Sequence, residues 1–294
     1  MSSADTAVRA TALGHAAEAP TRYRGAFGRL LGGELRLILT RRRNVALLAV
    51  LAVVPIFIGV AVDISKPRNG DGPQFLGQIT GNGLFLVFTA LTVSLPFFFP
   101  LVIGVVSGDC IAGEANIGTL RYLLTVPVTR SRLLTVKTLA IAIFTGTAVA
   151  VLTLVGIITG FLLFGLHSVT LLSGDTVSLG NGLLRTLGIA VFVWLSLLGL
   201  AAIGLFISTL TENAIAAMAA TIGVAIFSAL LDAVPQLASI HPVLLTDHWL
   251  GFGELLRTSI SYSDLLGWTA LQLAYAVIFL SLAWSRITTK DITS

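Results

Sequence analysis

Charge is scarce in this sequence. Only 11% of its 294 residues are Asp, Glu, Lys or Arg, whereas soluble domains carry about 25%. Hydrophobic residues make up 55% and the mean hydropathy is +0.95. Such a chain has too little polar surface to cover itself in water, so its solvent is lipid. Cysteine occurs once, at Cys110. That excludes an intramolecular disulfide and a cysteine metal cluster, and the thiol reads as a small buried or interfacial group. The three lysines are Lys66, Lys137 and Lys290. Only Lys137 is followed by Ser or Thr, and no G-x-x-x-x-G-K-[ST] leads into it, so a phosphate-binding loop is excluded. The hydrolase patterns H-E-x-x-H and G-x-S-x-G are absent as well. Four histidines remain: His15, His167, His241 and His248. The last two share a segment with Asp247, but i, i+7 spacing without a third strong ligand makes a poor metal site. Packing against Trp249 suits them better.

What the chain does have is long apolar runs. About 20 apolar residues cross a bilayer as a helix, and six runs qualify: 44–62, 83–107, 138–164, 184–208, 214–234 and 267–284. The fold class predicted is all-α integral membrane. Residues 1–21 are rich in Ala, Ser and Thr without apolar periodicity and read as a flexible cytoplasmic tail. Residues 22–43 form an amphipathic interface helix. Tyr23, Phe27, Leu30, Leu31, Leu35 and Ile38 share one face, and Arg22, Arg29 and Arg36 the other. Glu34 falls on the apolar face, which predicts either a basic partner on a neighbouring segment or an irregular helix. The run Arg41-Arg42-Arg43 ends this helix at the first span.

Gly-, Pro- and Asn-rich loops occupy 63–82 and 165–182, and 209–213 is a tight turn. The segment 235–266 holds enough apolar residues for short extracellular re-entrant helices between spans five and six. Pro55, Pro96 and Pro100 lie within spans and predict local helix distortion. Small residues recur in spans three to five and permit close packing. Six spans put both termini on one side. Of the eighteen Lys and Arg residues, fourteen fall on that side, and Lys66, Arg68, Arg185 and Arg257 on the other. This asymmetry places the termini in the cytoplasm. It also accounts for the +4 net charge as topology rather than as nucleic-acid binding. The span centres carry no Asp, Glu, Lys or Arg. Ion-coupled carriers keep such groups at mid-depth, so energy for any transport comes from elsewhere.

Between spans two and three lies a polar island, 108–137. It reads as two short helical pieces joined by a turn at Pro127, with Thr129 or Ser131 capping the second. On spacing alone it is either a lever for a cytoplasmic partner or a solvated loop that sets topology. Its residues carry a resemblance. Asp109, Ala112, Glu114, Gly118-Thr119-Leu120, Leu123-Leu124, Pro127-Val128, Arg130 and Lys137 resemble, in order and spacing, the signature of ABC-2-type permeases, the membrane subunits of ATP-binding-cassette exporters. The ending Lys290-Asp291-Ile292 is similar too. Ala115-Asn116 departs from the pattern, since many members are charged there, and this bears on any polar contact to an ATPase.

The resemblance implies a permease that couples ATP hydrolysis on a separate ATPase to efflux. The implied cargo is a drug, lipid or other amphipathic molecule. It also implies a second permease copy or paralogue, a plasma-membrane location, and no cofactor in this chain, with Mg-ATP on the partner. Coupling falls to Asp109, Glu114, Gly118, Thr119, Leu120, Arg121, Pro127, Arg130 and Lys137. Glu114 is then the main polar anchor, and Arg121 and Arg130 pair with acidic partner groups or with headgroups. Two other readings stay open: a non-transporting membrane anchor that docks the same ATPase, and an intramembrane enzyme with an unrecognised residue set.

Overall fold

In a bilayer core the backbone has no water to bond to, so an apolar chain closes its hydrogen bonds within helices. The computed structural model, which describes residues 26–65, 82–116, 129–166, 169–170 and 174–289, follows this rule. The described residues form eight α-helices and one small antiparallel pairing. The interface helix is α1 (Ala26–Thr40). Then come α2 (Arg42–Ile64), α3 (Leu84–Ser94), α4 (Phe98–Asn116) and α5 (Arg130–Phe164). After the pairing of Val169–Thr170 with Thr176–Val177 follow α6 (Leu179–Leu210), α7 (Ala214–Asp232) and α8 (Tyr262–Thr289). Six of these, α2 and α4 to α8, are long and apolar enough to cross a membrane.

Several boundaries differ from the predicted ones. The interface helix breaks at Arg41, whose extended backbone (φ −59°, ψ 124°) separates α1 from α2. Arg42 and Arg43 therefore open the first span instead of ending the surface helix. Asn44 makes this corner: its Nδ2 donates to Ile38 O at 2.8 Å, satisfying a carbonyl in the last turn of α1. The predicted span 83–107 is two helices. The break covers 95–97 and contains Pro96, which cannot donate to the helical ladder. Beyond it, α4 continues through Asn116 and α5 starts at Arg130. Much of the predicted island is thus helix continuous with the spans.

Helices α4 and α6 are the most buried of the six span-length helices. Over their most apolar windows they are 72% and 67% buried, against 28% for α2, 22% for α7 and 11% for α8. The last three turn most of their apolar surface outward. Lipid is as apolar as leucine, so close backbone approach holds such helices together. A Cβ at Gly108 of α4 would sit 2.7 Å from Met218 N of α7, so that crossing admits only glycine. Gly83 and Gly160 bring the start of α3 onto α5 in the same way.

The segment between α7 and α8 does hold short helical pieces, but they are 3₁₀ turns, at Pro235–Leu237, His241–Val243 and Gly251–Leu256. Each is too short to cross a bilayer. Leu245, Trp249, Phe252 and Leu256 are buried. Side chains of the bundle pin this segment. Gln272 Nε2 donates to Leu245 O at 2.8 Å, Tyr275 Oη to Val243 O at 2.7 Å, and Arg185 to the carbonyls of Leu255 and Arg257.

Candidate functional site

Lys137 lies two turns into α5, among the buried side chains of Leu134, Val136, Ala140 and Ile141. It is 1% exposed. A bare ammonium in such surroundings costs several kcal/mol, on the order of 3–5 when a partner is taken away. Here it is not bare. Its three N–H donors meet Glu114 Oε1 at 2.7 Å, Cys110 O at 3.0 Å and Glu34 Oε1 at 3.1 Å. The acceptors come from α4 and α1, so one cation ties three helices. Glu34, on the apolar face of α1, has the basic partner that its position called for.

One turn earlier on α4, Asp109 Oδ2 accepts from Arg41 Nη1 at 2.6 Å and Arg43 Nη2 at 2.7 Å. This links α4 to the corner between α1 and α2. A polar cavity of about 20 Å³, lined by Glu34, Arg41, Asn44, Asp109 and Glu114 among others, lies between the two ion groups. It has room for about one water. On the other side of α4, Ser208 of α6 inserts its hydroxyl into the helical ladder. The hydroxyl donates to Gly108 O at 2.6 Å and accepts from Ile111 N at 3.0 Å and Ala112 N at 2.9 Å. Gly108 O and Ala112 N are the pair that an α-helix bonds to each other, so Ser208 ties α6 to the backbone of α4 within its last two turns.

Arg130, at the start of α5, donates to Ile287 O at 2.9 Å and Thr288 O at 3.3 Å, near the end of α8. Thr129 occupies the N-cap position of α5 without a side-chain capping bond, and Ser131 Oγ accepts from Trp284 Nε1 at 3.0 Å. Of the nine residues predicted for coupling, Asp109, Glu114, Arg130 and Lys137 are described. Glu114 and Lys137 are bonded to each other, Asp109 sits one turn away, and Arg130 is engaged with α8. The carboxylate predicted to anchor a partner is thus bonded, through Oε1, within the chain. Gly118, Thr119, Leu120, Arg121 and Pro127 lie outside the described residues, as do the predicted tail 1–21 and Lys290-Asp291-Ile292. Sequence reasoning missed Arg41, Arg43 and Ser208 as partners of α4. The arginine run read only as a stop, and a lone serine in a small-residue span carries no signal.

At the opposite end of the bundle, His248 Nδ1 lies 2.9 Å from Asp247 Oδ2, and His241 Nδ1 lies 3.9 Å from Asp232 Oδ1. His248 stacks on Trp268, with ring centroids 5.0 Å apart. The predicted partner, Trp249, is itself buried. Partial burial raises the Asp247 carboxyl above its ordinary value of 3.8, against the pull of His248, and Asp232 adds to the rise. No three metal-ligating side chains converge among the described residues.

The fold and this ion-tied end define a class: a multi-pass helical membrane protein whose buried charges are spent on one another. Residues 30–290 match the family model described as ABC-2 family transporter protein, and the chain belongs to that family. The family is a membrane transport component, the permease part of ABC transporters. A comparison with curated proteins finds no match to this chain.

Proposed function

We propose that this chain is the permease subunit of an ATP-driven exporter in the plasma membrane. A separate cassette ATPase, carrying Mg-ATP, docks on the segment between α4 and α5 from the cytoplasm. One observation carries the reading. The two helices that flank this segment end in a shared ion cluster, in a chain whose family supplies the membrane part of ABC transporters. A push on the segment is therefore received by two helices already joined at Glu114–Lys137. The outward apolar faces of α2, α7 and α8 suit lipid and a second permease copy or paralogue. Apolar span surfaces suit an amphipathic cargo such as a drug or lipid.

Proteoliposomes holding the full chain and a cassette ATPase test this. The expected result is stimulated ATP hydrolysis together with ATP-dependent efflux of an amphipathic dye. Stimulation without flux of any cargo favours the anchor reading. Failure of the chain to bind any cassette ATPase overturns the proposal.

A further inference from the structure

We infer that an open groove along α2 seats one acyl chain of an anionic phospholipid, whose phosphate is held by Arg42 at the start of that helix. The inference goes beyond the permease reading and involves no ATPase.

A recess of about 540 Å³ lies between α2 and the two helix ends that meet at the α3–α4 break. Ala49, Val50, Val53 and Phe57 line it from α2, Val93 from the last turn of α3 and Phe98 from the first residue of α4. Every lining side chain is apolar. The walls stand open, with Val53 56% and Phe57 72% exposed. A slot left empty forfeits the dispersion contacts of its lining, and a hydrocarbon chain laid in it supplies them.

The start of α2 supplies the selectivity. Residues three and four apart share a helix face, so Arg42, Ala46, Ala49, Val53 and Phe57 form one stripe. Ala46 is exposed and small, so α2 puts no bulky side chain on the stripe between the arginine and the groove. At 1.5 Å per residue Arg42 stands about 16 Å along the axis from Val53, close to the roughly 15 Å of hydrocarbon in one leaflet. A lipid with its phosphate at Arg42 therefore lays its chain along the groove.

Charge at this corner leaves Arg42 over. Arg41 and Arg43 are bonded to Asp109, and Lys137 to Glu34 and Glu114. Arg42 is exposed, does not line the polar cavity between those groups, and has no bond among the described residues. No side chain of Arg41 caps α2, so the positive end of the helix dipole adds to the guanidinium at the same place. A phosphate diester answers both through charge-assisted hydrogen bonds. A second copy of the chain fits less well. By symmetry it brings an Arg42 of its own, and its Asp109, Glu34 and Glu114 are already engaged, so it offers this corner no counter-charge.

Photo-cross-linking of the full-length chain in phosphatidylcholine vesicles reads the seat directly. Two probes carry a diazirine midway along the same acyl chain, one a phosphatidylglycerol and one a phosphatidylcholine, and the labelled peptides are mapped. Phosphatidylglycerol should label residues 45–58 and 93–98 about fivefold more than phosphatidylcholine does, the worth of one basic residue against an anionic lipid. Arg42→Gln should remove this preference without changing the ratio of the two probes on the outward face of α8, and Arg42→Lys should retain it. Ala49→Trp, at an exposed position, should fill the groove and cut its labelling by both probes, with α8 labelled as in the parent. Equal labelling of the groove by the two probes in the parent overturns the inference, as does a preference that survives Arg42→Gln. Groove segments labelled by neither probe, together with a disulfide between chains from Val53→Cys in a Cys110→Ala background, would make a second copy the occupant and overturn it as well.

Discussion

The two ends of this bundle carry charge on opposite plans. At one end Lys137 is buried and joins Glu34 on α1, 103 positions away, to Glu114 on α4, 23 positions away. At the other, His248 pairs with its chain neighbour Asp247, and His241 with Asp232 nearby, all four partly open to solvent. A buried ion group is costly to assemble and costlier to break, whereas a surface pair is worth little either way. The first end is built to hold separate helices in one arrangement, and the second trims a loop that backbone hydrogen bonds to Gln272, Tyr275 and Arg185 already secure. The ends also differ in what they join. The Lys137 cluster bonds α1, α4 and α5 to one another, while the His–Asp contacts stay within residues 232–248.

The sharpest way to break this contrast is Lys137→Met. It leaves two carboxylates facing each other without their cation, a loss of about 3–5 kcal/mol, measured as thermal unfolding of the purified chain in detergent. A loss as small as that of an exposed pair would erase the distinction between the ends. Combining Lys137→Met with Glu34→Leu and Glu114→Leu sharpens it instead. Replacing a whole buried ion group by apolar side chains is often neutral for stability, so the triple variant should regain stability and still fail to stimulate an ATPase. Ser208→Ala comes next. Hydrogen bonds between membrane helices average about 0.6 kcal/mol and reach about 1.7, so the loss should fall in that range. The same thermal-unfolding measurement checks it.

Asp109→Asn should cost less, on the order of 1 kcal/mol or below, because both arginine partners are more than a third exposed. The smallest effect belongs to the His–Asp end. Asp247 has a folded-state pKa above its unfolded value, so the fold binds the proton more tightly. Its contribution is therefore most favourable below the ordinary value of 3.8 and declines as pH rises through the raised one. Asp247→Asn should flatten that decline in a pH series of unfolding temperatures, with little change elsewhere.

Much of the scaffold was legible in the sequence. Six apolar runs gave six span-length helices, and hydropathy suffices where lipid alone decides. Helix continuity was harder to read. Hydropathy reports where lipid lies, not where backbone bonding continues, so α4 past Ser107 and α5 before Thr138 were read as island. Pro96 and Pro100 signalled distortion, yet only packing determines that α3 and α4 separate at 95–97. At the candidate site, Glu34 was visible because a carboxylate on an apolar face demands a partner. That the partner would be Lys137 depends on how α1 lies across α5, which one sequence does not encode locally. The Ser208 bridge was invisible for the same reason.

The most direct test sets the two ends side by side. ATP hydrolysis by a cassette ATPase is measured in proteoliposomes with the full chain carrying Glu114→Ala or, in parallel, Asp247→Ala. Force entering at the Lys137 end predicts that Glu114→Ala loses the stimulation while inserting normally, and that Asp247→Ala stimulates as the parent chain does. Undiminished stimulation by Glu114→Ala, or an equal loss in both, would contradict the account.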